Sequence, residues 1–378
     1  MGDVMEKIKC RIKYGNKTES HLSQIFTGYK MLEDSGILII ESIEYDKSLK
    51  DKYLFSSIIE VILNDTVKVA YDLADGYQSI HRLDLFDKAI EDIDFYFKRS
   101  YDPNIHKNHK YGYKVKPLGL NYHVTCKNNP FYKFSSENKG IKKIKDFIKY
   151  NKSQKSYYNN IKYYNFESEN HFDSYNVMFF VRLWDSNILS LDNLLKSYSY
   201  LTYNEINQLY DKWKYQMDYV TSQRIDLVNG LKKELGDKFI GGLEDNEIAR
   251  KLCPELISKN KYTDKFQFMN MTKSNNICIA SVGLHDSIGW KFGEYVAAGK
   301  AIVTDPLKYV LPGDFKEDKN YKCYSNIDEC INKVKILLSD IDEVHRMEEN
   351  NIKYYKKYVR PDNLVLNTLN VALDITID

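Results

Sequence analysis

The stretch from Ile277 to Pro306 constrains the fold most, because it has the pattern of a strand, a loop, a helix and a second strand. Ile277–Ala280 is a short apolar run that predicts a strand, and Trp290–Ala298 predicts a helix that stops at Gly299. Ala301–Thr304 predicts the following strand, which an Asp-Pro pair closes. In such a βαβ unit the loop lies at the carboxyl end of a parallel strand, where open α/β sheets bind ligands.

The loop of this unit has the features of an anion site. It ends in Gly289, so unpaired amides at the start of the next helix can approach an anionic group closely, and the helix dipole favours phosphate. Asp286 and Glu294 flank that position. The alternative is an ordinary turn with two solvated acids. The order of the residues, with a glycine on each side of the helix, favours a nucleotide-sugar pocket.

Asp286, Gly289 and Glu294 stand in the order acid-x-x-Gly-x-x-x-x-Glu, followed by Ala-Gly-Lys-Ala-Ile-Val. This pattern resembles the donor-site signature of GT-B glycosyltransferases. The resemblance is to the large, mostly retaining family that includes glycogen synthases and bacterial surface-polysaccharide transferases. It implies that Asp286, where the family usually has Glu, contacts the donor sugar and that Glu294 holds the ribose hydroxyls. Gly289 and the amides after it would hold the diphosphate, with Trp290 and Lys291 beside the phosphates.

Further donor-site residues follow from the same resemblance. The predicted strand from Asn176 to Leu183 resembles the family strand that ends in Gly-Arg-Leu, which implies that Arg182 approaches the phosphates. A strand-end charge paired with a surface acid is the alternative. The lysine that normally follows is missing, so Lys291 and Arg224 are candidates for the remaining phosphate charge. His285 adjoins the donor acid and could bond a sugar hydroxyl or the phosphate.

Two acids in the first half of the chain are candidates for the acceptor side. Asp72 and Asp75 come at and just after the end of a predicted strand, and such positions face the cleft between two domains. They could orient an acceptor hydroxyl or act as the general base. The alternative is a plain turn, since Asp and Gly are common turn residues. His81 is a second candidate base.

The composition excludes several classes of protein. A net charge of +2 gives no basic field for nucleic acid, and no apolar run reaches the ~18 residues of a membrane span. The six cysteines are scattered without a CxxC pair, which favours reduced thiols and a cytoplasmic location. The N-terminus has neither a signal core nor a myristoylation motif.

The order of predicted elements indicates an α/β protein with two Rossmann-like domains (GT-B) that face each other across a cleft. The alternation of strands and helices favours parallel sheets. We expect an N-terminal acceptor domain at 1–125, an interdomain segment at 126–172 and a nucleotide-sugar domain at 173–350. The resemblance implies that the C-terminal segment, 351–378, crosses back to the first domain.

Two further motifs concern metal binding and membrane binding. Asp92-Ile93-Asp94 has the DxD form of metal-dependent transferases, but an apolar run follows it rather than precedes it, so we predict no metal. Basic residues between Lys98 and Lys116 could bind anionic lipid headgroups or a lipid diphosphate acceptor at the inner membrane face. A solvated loop is the alternative for that basic patch.

The sequence therefore predicts a glycosyltransferase that moves a sugar from a nucleoside-diphosphate sugar to a hydroxyl of a glycan, a lipid-linked sugar or a surface polymer. UDP or GDP is the expected nucleotide, as a co-substrate and without a further cofactor. The resemblance implies a retaining, metal-independent reaction. Two alternatives stay open at this stage, a sugar-nucleotide epimerase of the same fold and a non-catalytic sugar-nucleotide-binding subunit.

Overall fold

A computed structural model describes residues 6–16, 20–77, 83–107, 109–129, 139–149, 155–168, 175–258 and 265–377. These residues form two α/β units, each built around its own sheet. Among the helices of this described part, none combines the length and the apolar character needed to cross a membrane.

The N-terminal unit is built on a sheet of six strands. Their bounds are Ile8–Tyr14 (β1), Leu38–Tyr45 (β2), Ile58–Leu63 (β3), Val67–Asp72 (β4), Phe95–Lys98 (β5) and Val115–Pro117 (β6). The spatial order is β2-β1-β3-β4-β5-β6. β1 is parallel to β2, and β4, β5 and β6 are parallel to one another.

This sheet is mixed rather than wholly parallel, because β3 is antiparallel to both β1 and β4. The cause is the tight turn at Asn64 and Asp65, which both adopt positive φ, 47° and 64°. A two-residue turn with positive φ at both positions suits the twist of an antiparallel hairpin. Helices Ser23–Asp34 (α1), Ser48–Tyr53 (α2), Leu83–Ile90 (α3) and Pro103–His106 (α4) accompany the sheet.

The described residues between the two sheets include three short α-helices. They are Gly140–Lys149 (α5), Lys155–Asn160 (α6) and Tyr163–Phe166 (α7). The backbone of Thr125 bonds to this segment on both sides of Lys162, through the oxygen of Ile161 and the amide of Tyr163. The segment is thereby tied to the end of the N-terminal unit.

The C-terminal unit has five strands, all parallel. They are Val177–Val181 (β7), Phe239–Leu243 (β8), Ile277–Ala280 (β9), Ala301–Thr304 (β10) and Lys322–Cys323 (β11), in the order β11-β10-β9-β7-β8. β7, β9 and β10 are buried along their whole length, as expected for parallel strands covered on both faces. The covering helices are Leu191–Ser197 (α8), Tyr203–Leu235 (α9), Glu247–Leu252 (α10), Lys265–Ser274 (α11), Trp290–Ala297 (α12), Ile327–Ser339 (α13) and Ile341–Tyr354 (α14).

The last helix, Pro361–Leu373 (α15), packs on α1 and contributes Leu364, Val365 and Leu369 to the core of the N-terminal unit. The approach is very close at Gly28, where a Cβ would lie 2.1 Å from the carbonyl oxygen of Pro361. The chain therefore returns to its first unit after completing the second. The predicted α/β class with two Rossmann-like units is confirmed.

Candidate functional site

A cavity of about 600 Å³ lies between the two units. Its volume falls within the range of about 300–1,000 Å³ typical of small-molecule sites. The C-terminal unit contributes the ends of β7 and β9, the loop before α12 and the first turns of α12. The N-terminal unit contributes His21, Asp75 and Arg99. The site is therefore shared by both units, at the carboxyl ends of parallel strands.

The start of α12 opens onto this cavity. Gly289 is the residue before the helix, with φ −68° and ψ 161°, and no described side chain caps the first turn. A Cβ on Gly289 would meet nothing within 4 Å, so the space beside it is empty of protein. The first amides of a helix are unsatisfied within the helix and carry partial positive charge. This helix start can therefore accept an anion from the cavity.

The basic residues Lys291, Arg224 and Arg182 also line the cavity. Lys291 Nζ donates to the carbonyl oxygen of Phe180 at 2.6 Å, and Arg224 Nη1 donates to the backbone oxygen of Arg182 at 2.6 Å. Both are held by backbone carbonyls rather than by carboxylates in these contacts. Because a backbone carbonyl does not neutralise a cation, the positive charge of both side chains is available to bind an anionic ligand.

Burial lowers the pKa of both fixed cations. The pKa of Lys291 falls from 10.5 to about 8, because the ammonium group is desolvated and the Arg224 charge lies near it. Burial likewise lowers the pKa of Arg224, to about 10, against the opposing effect of Asp305. Arg224 Nε also has no hydrogen-bond partner among the described residues. Bound anionic oxygens would relieve these costs.

Glu294 is the acidic counterpart one turn into α12. The residue is 2% exposed, lines the cavity and forms an ion pair with Lys265 through Oε1. Its other oxygen, Oε2, is buried and has no hydrogen-bond partner within the described part of the chain. Buried carboxylate oxygens are nearly always bonded, so this one is suited to a donor that a ligand brings.

An apolar wall completes the donor side of the cavity. It is formed by side chains from β7, β8, β9, α11 and α12: Phe179, Phe180, Leu243, Phe268, Ile279 and Phe292. Glu244 and Ser258 add polar groups to the same wall. A flat ring system with a polar edge fits a wall of this composition.

On the other side, Asp75 and Arg99 come together because β4 and β5 are parallel neighbours whose carboxyl ends meet. Arg99 Nη1 donates to Asp75 Oδ1 at 2.7 Å and lies 3.0 Å from His21 Nδ1. Arg99 Nη2 donates to the backbone oxygen of Ile288 at 2.5 Å, in the loop before α12. Arg99 therefore orients Asp75 and also links the two units.

Trp290 makes a second link between the units. Its Nε1 donates to Asn121 Oδ1 at 2.9 Å, and its ring lies 4.6 Å from the His21 ring and 5.5 Å from the His123 ring. Trp290 was expected beside the phosphates, and it does line the cavity. Its indole N–H, however, donates its hydrogen bond to the N-terminal unit.

The loop before α12 has a strained turn at His285 and Asp286, with φ of 61° and 57°. His285 lines the cavity, and its ring packs 4.9 Å from the ring of Trp213. Asp286 Oδ2 instead accepts from Lys308 Nζ at 2.9 Å, and both side chains are about half exposed. Asp286 is missing from the described residues that line the cavity. Its contact with a donor sugar stays a prediction.

Asp72 lies apart from the cavity in a buried network. It is fully buried and accepts from Lys98 Nζ and from the Tyr96 hydroxyl, both at 2.7 Å. This ion pair stabilises the end of β4 against β5 and leaves no exposed surface for an acceptor. We therefore assign Asp72 no contact with substrate. Of the two acids, only Asp75 lines the cavity.

Within the basic patch between Lys98 and Lys116, Lys98, Arg99 and His106 are buried, whereas Lys107 and Lys110 are exposed. Lipid binding by this patch stays a prediction. Burial lowers the pKa of His106 to about 3.

Asp92, of the DxD form, pairs with Lys52 and Lys68 on the surface instead of facing the cavity. His81 lies outside the described residues.

Sequence reasoning missed four ionisable residues among the described residues that line the cavity: His21, Arg99, Glu244 and Lys265. Arg99 belongs to the predicted basic patch, and its position directly after β5 brings it to the carboxyl end of that strand. Lys265 and His21 carry no motif, since the contacts that matter are with residues far away in sequence. Nothing local could have identified them.

Neither a protein-family model nor a curated protein sequence matches the chain. Solved structures that are similar to it include a candidate UDP-N-acetylglucosamine 2-epimerase from Listeria monocytogenes, with 9% identity, 98% of each chain covered and a TM-score of 0.44. Anabaena HepE in complex with UDP has 11% identity and a TM-score of 0.43, over 95% of this chain and 98% of that one. S. aureus MnaA with UDP has 14% identity and a TM-score of 0.37, over 80% and 67%.

Proposed function

We propose that this protein is a glycosyltransferase that takes a sugar from a nucleoside-diphosphate sugar and transfers it to a hydroxyl acceptor. The observation that carries the proposal is the pairing, on one short helix, of an N-terminus that no described side chain caps with a buried glutamate whose Oε2 has no partner among the described residues. A nucleoside diphosphate has the complementary groups, an anionic diphosphate and a pentose with two hydroxyl donors.

The donor would lie along the C-terminal unit. Its diphosphate would bind the amides after Gly289 together with Lys291, Arg224 and Arg182. Its ribose would donate to Glu294 Oε2, and its base would pack on the apolar wall beside Phe268. UDP and GDP are the nucleotides we expect. The charge arrangement supports this orientation, because Lys291 belongs to the first turn of α12 and Glu294 lies one turn further along.

Catalysis would come mainly from stabilising the leaving diphosphate. Negative charge grows on the phosphate oxygens as the bond to the sugar breaks, and preorganised cations and amides in a water-poor site stabilise that charge strongly. Lys291 and Arg224 are already fixed by backbone carbonyls. They would therefore need little rearrangement during the reaction. The resemblance to the retaining family supports a product with retained anomeric configuration and no metal requirement.

The acceptor would enter from the N-terminal unit. Asp75 lines the cavity on that side, and one of its oxygens is held by Arg99. A fixed carboxylate can orient a hydroxyl and accept its proton. Glycans, lipid-linked sugars and surface polymers all present such a hydroxyl. The six cysteines, all free and five of them buried, support a reducing compartment such as the cytoplasm.

One observation favours a second candidate, a non-catalytic sugar-nucleotide-binding subunit. Asp286, the expected contact to the donor sugar, is paired with Lys308 near the surface. A site without that contact could hold the nucleotide and leave the sugar unreacted. An epimerase would use the same donor site without an acceptor.

Incubation with UDP- and GDP-sugars separates the three functions. A transferase releases nucleotide slowly by hydrolysis even without acceptor, whereas an epimerase changes the sugar without release. A binding subunit gives neither product but is stabilised thermally, by about 2.7 kcal/mol at a ligand concentration 100 times Kd. Failure of every sugar nucleotide to stabilise the protein would rule out all three.

A further inference from the structure

Helix α5 has an exposed apolar face that neither the cavity nor either sheet explains. Its sequence is GIKKIKDFIK, and none of its described residues is buried. Ile141 is 74% exposed, Ile144 60% and Ile148 48%. Phe147 is 50% exposed. Large apolar side chains at this density on one short helix mark an interaction surface rather than ordinary surface.

The apolar and basic residues of α5 are separated around the helix axis. At ~100° per residue, Ile141, Ile144, Phe147 and Ile148 fall within an arc of ~120°. Lys145 borders one edge of that arc and Lys143 borders the other. Lysines at these positions can extend their charged ends past the apolar face while their alkyl stems cover its margins.

The charge of the segment identifies the partner. Residues 139–149 contain Lys139, Lys142, Lys143, Lys145 and Lys149 but a single acid, Asp146. Protein interface cores are depleted in lysine, whereas interfacial helices on lipid bilayers combine an apolar face with flanking lysines. Anionic headgroups complement a basic rim, and acyl chains complement the isoleucines. A lipid surface satisfies both parts of this helix together.

We propose that α5 is an interfacial helix that docks this protein on a bilayer containing anionic phospholipids. The helix lies in the plane of the membrane, with its isoleucines at the acyl boundary and its lysines at the headgroups. After five residues the chain continues into α6, where the Tyr157 hydroxyl lies 3.0 Å from His123 Nδ1. His123 in turn packs on Trp290 at the start of α12. The proposal holds whether or not the protein transfers a sugar.

The test is co-sedimentation of the full chain with vesicles. We expect binding to vesicles of equal parts phosphatidylcholine and phosphatidylglycerol, and little binding to phosphatidylcholine alone. Ile144→Glu places a charge in the apolar face and should lower the partition coefficient about tenfold or more. The matched control is Ile336→Glu, on an isoleucine of α13 with 48% exposure, which should bind as the wild type does.

A second pair of variants tests the electrostatic part. The double change Lys142→Glu and Lys143→Glu should abolish the preference for phosphatidylglycerol. The double change Lys196→Glu and Lys251→Glu alters the net charge equally, on exposed lysines elsewhere, and should keep that preference. Equal binding of Ile144→Glu and wild type would overturn the proposal. The absence of vesicle binding by the wild type would also overturn it. That outcome includes the case in which the wild type self-associates in size-exclusion chromatography and Ile144→Glu abolishes this self-association.

Discussion

Glu294 and Lys265 form an ion pair in the wall of the cavity, and Glu294 Oε2 remains without a hydrogen-bond partner among the described residues. A buried carboxylate with one satisfied and one unsatisfied oxygen is costly in the free protein. A ligand that donates a hydrogen bond to Oε2 would remove this free-energy cost. This relationship underlies the proposed binding of ribose.

Glu294→Gln should weaken binding of UDP or GDP by about 10- to 100-fold, because a hydrogen bond to a charged group contributes about 1.5–3 kcal/mol. Isothermal titration calorimetry measures the change. Glu348→Gln is the matched control, since Glu348 is also 2% exposed and accepts from Asn276 at a place outside the cavity lining. Equal nucleotide affinity in Glu294→Gln and wild type would remove Glu294 from the ribose role.

Nucleotide affinity should fall as the pH rises through about 8, because the pKa of Lys291 is lowered to about 8 and only the protonated amine attracts a diphosphate. The fall should approach about tenfold per pH unit between the pKa of Lys291 in the free protein, about 8, and its higher pKa in the bound state, and should level off above the latter. Lys291→Arg should bind without this dependence, and Lys291→Met should bind weakly at every pH. A wild-type affinity that is flat up to pH 10 would contradict the assignment.

The same pKa makes a separate prediction for stability. Between about pH 8 and 10.5 the unfolded chain holds the Lys291 proton and the folded chain does not, so the contribution of Lys291 to stability rises with pH in that window. Denaturant titration of wild type and Lys291→Met across the window measures this contribution. The difference in unfolding free energy between them should shift in favour of the wild type as the pH increases.

Gly289→Val should weaken nucleotide binding strongly without lowering thermal stability. The backbone at Gly289 suits any residue, and the added side chain would extend into open space where the diphosphate is proposed to lie. Gly28→Ala is the opposite case, because its Cβ would meet the backbone of Pro361. It should destabilise the protein. Unchanged nucleotide binding in Gly289→Val would place the phosphates elsewhere.

Asp75→Asn should lower the rate of sugar transfer by about 100-fold or more while donor affinity changes little, since a general base contributes about 10²–10⁴. Asp72→Ala should instead lower the free energy of unfolding by about 3–5 kcal/mol, because it leaves Lys98 buried and unpaired. Comparing kcat with the unfolding curve separates the two acids. Full transfer activity in Asp75→Asn would end the acceptor-side assignment.

Local sequence patterns predicted the elements well where capping and periodicity were strong. The helix Tyr203–Leu235 has such local signals, because Thr202 and Glu205 form a capping box at its start and Gly236 adopts φ 53° after its end. The strand, loop, helix and strand of the 277–306 stretch are likewise present. These features depend on neighbouring residues, which a sequence displays directly.

Contacts between distant residues could not be predicted in this way. Arg99 and the carbonyl of Ile288 are 189 positions apart, and only the folded arrangement of the two units brings them together. The pairing of Asp286 with Lys308 and the antiparallel placement of β3 depend equally on tertiary geometry. The motif predicted residues that line the cavity, among them Gly289 and Glu294, but it did not determine where each side chain points.

The most direct test of the central claim is a crystal structure of the protein with UDP or GDP, whichever stabilises it more in a thermal-shift screen. We predict the diphosphate over the amides that follow Gly289, within hydrogen-bond distance of Lys291, and a ribose hydroxyl bonded to Glu294 Oε2. A nucleotide bound at another surface, or one whose pentose leaves Glu294 Oε2 without a partner, would contradict the account.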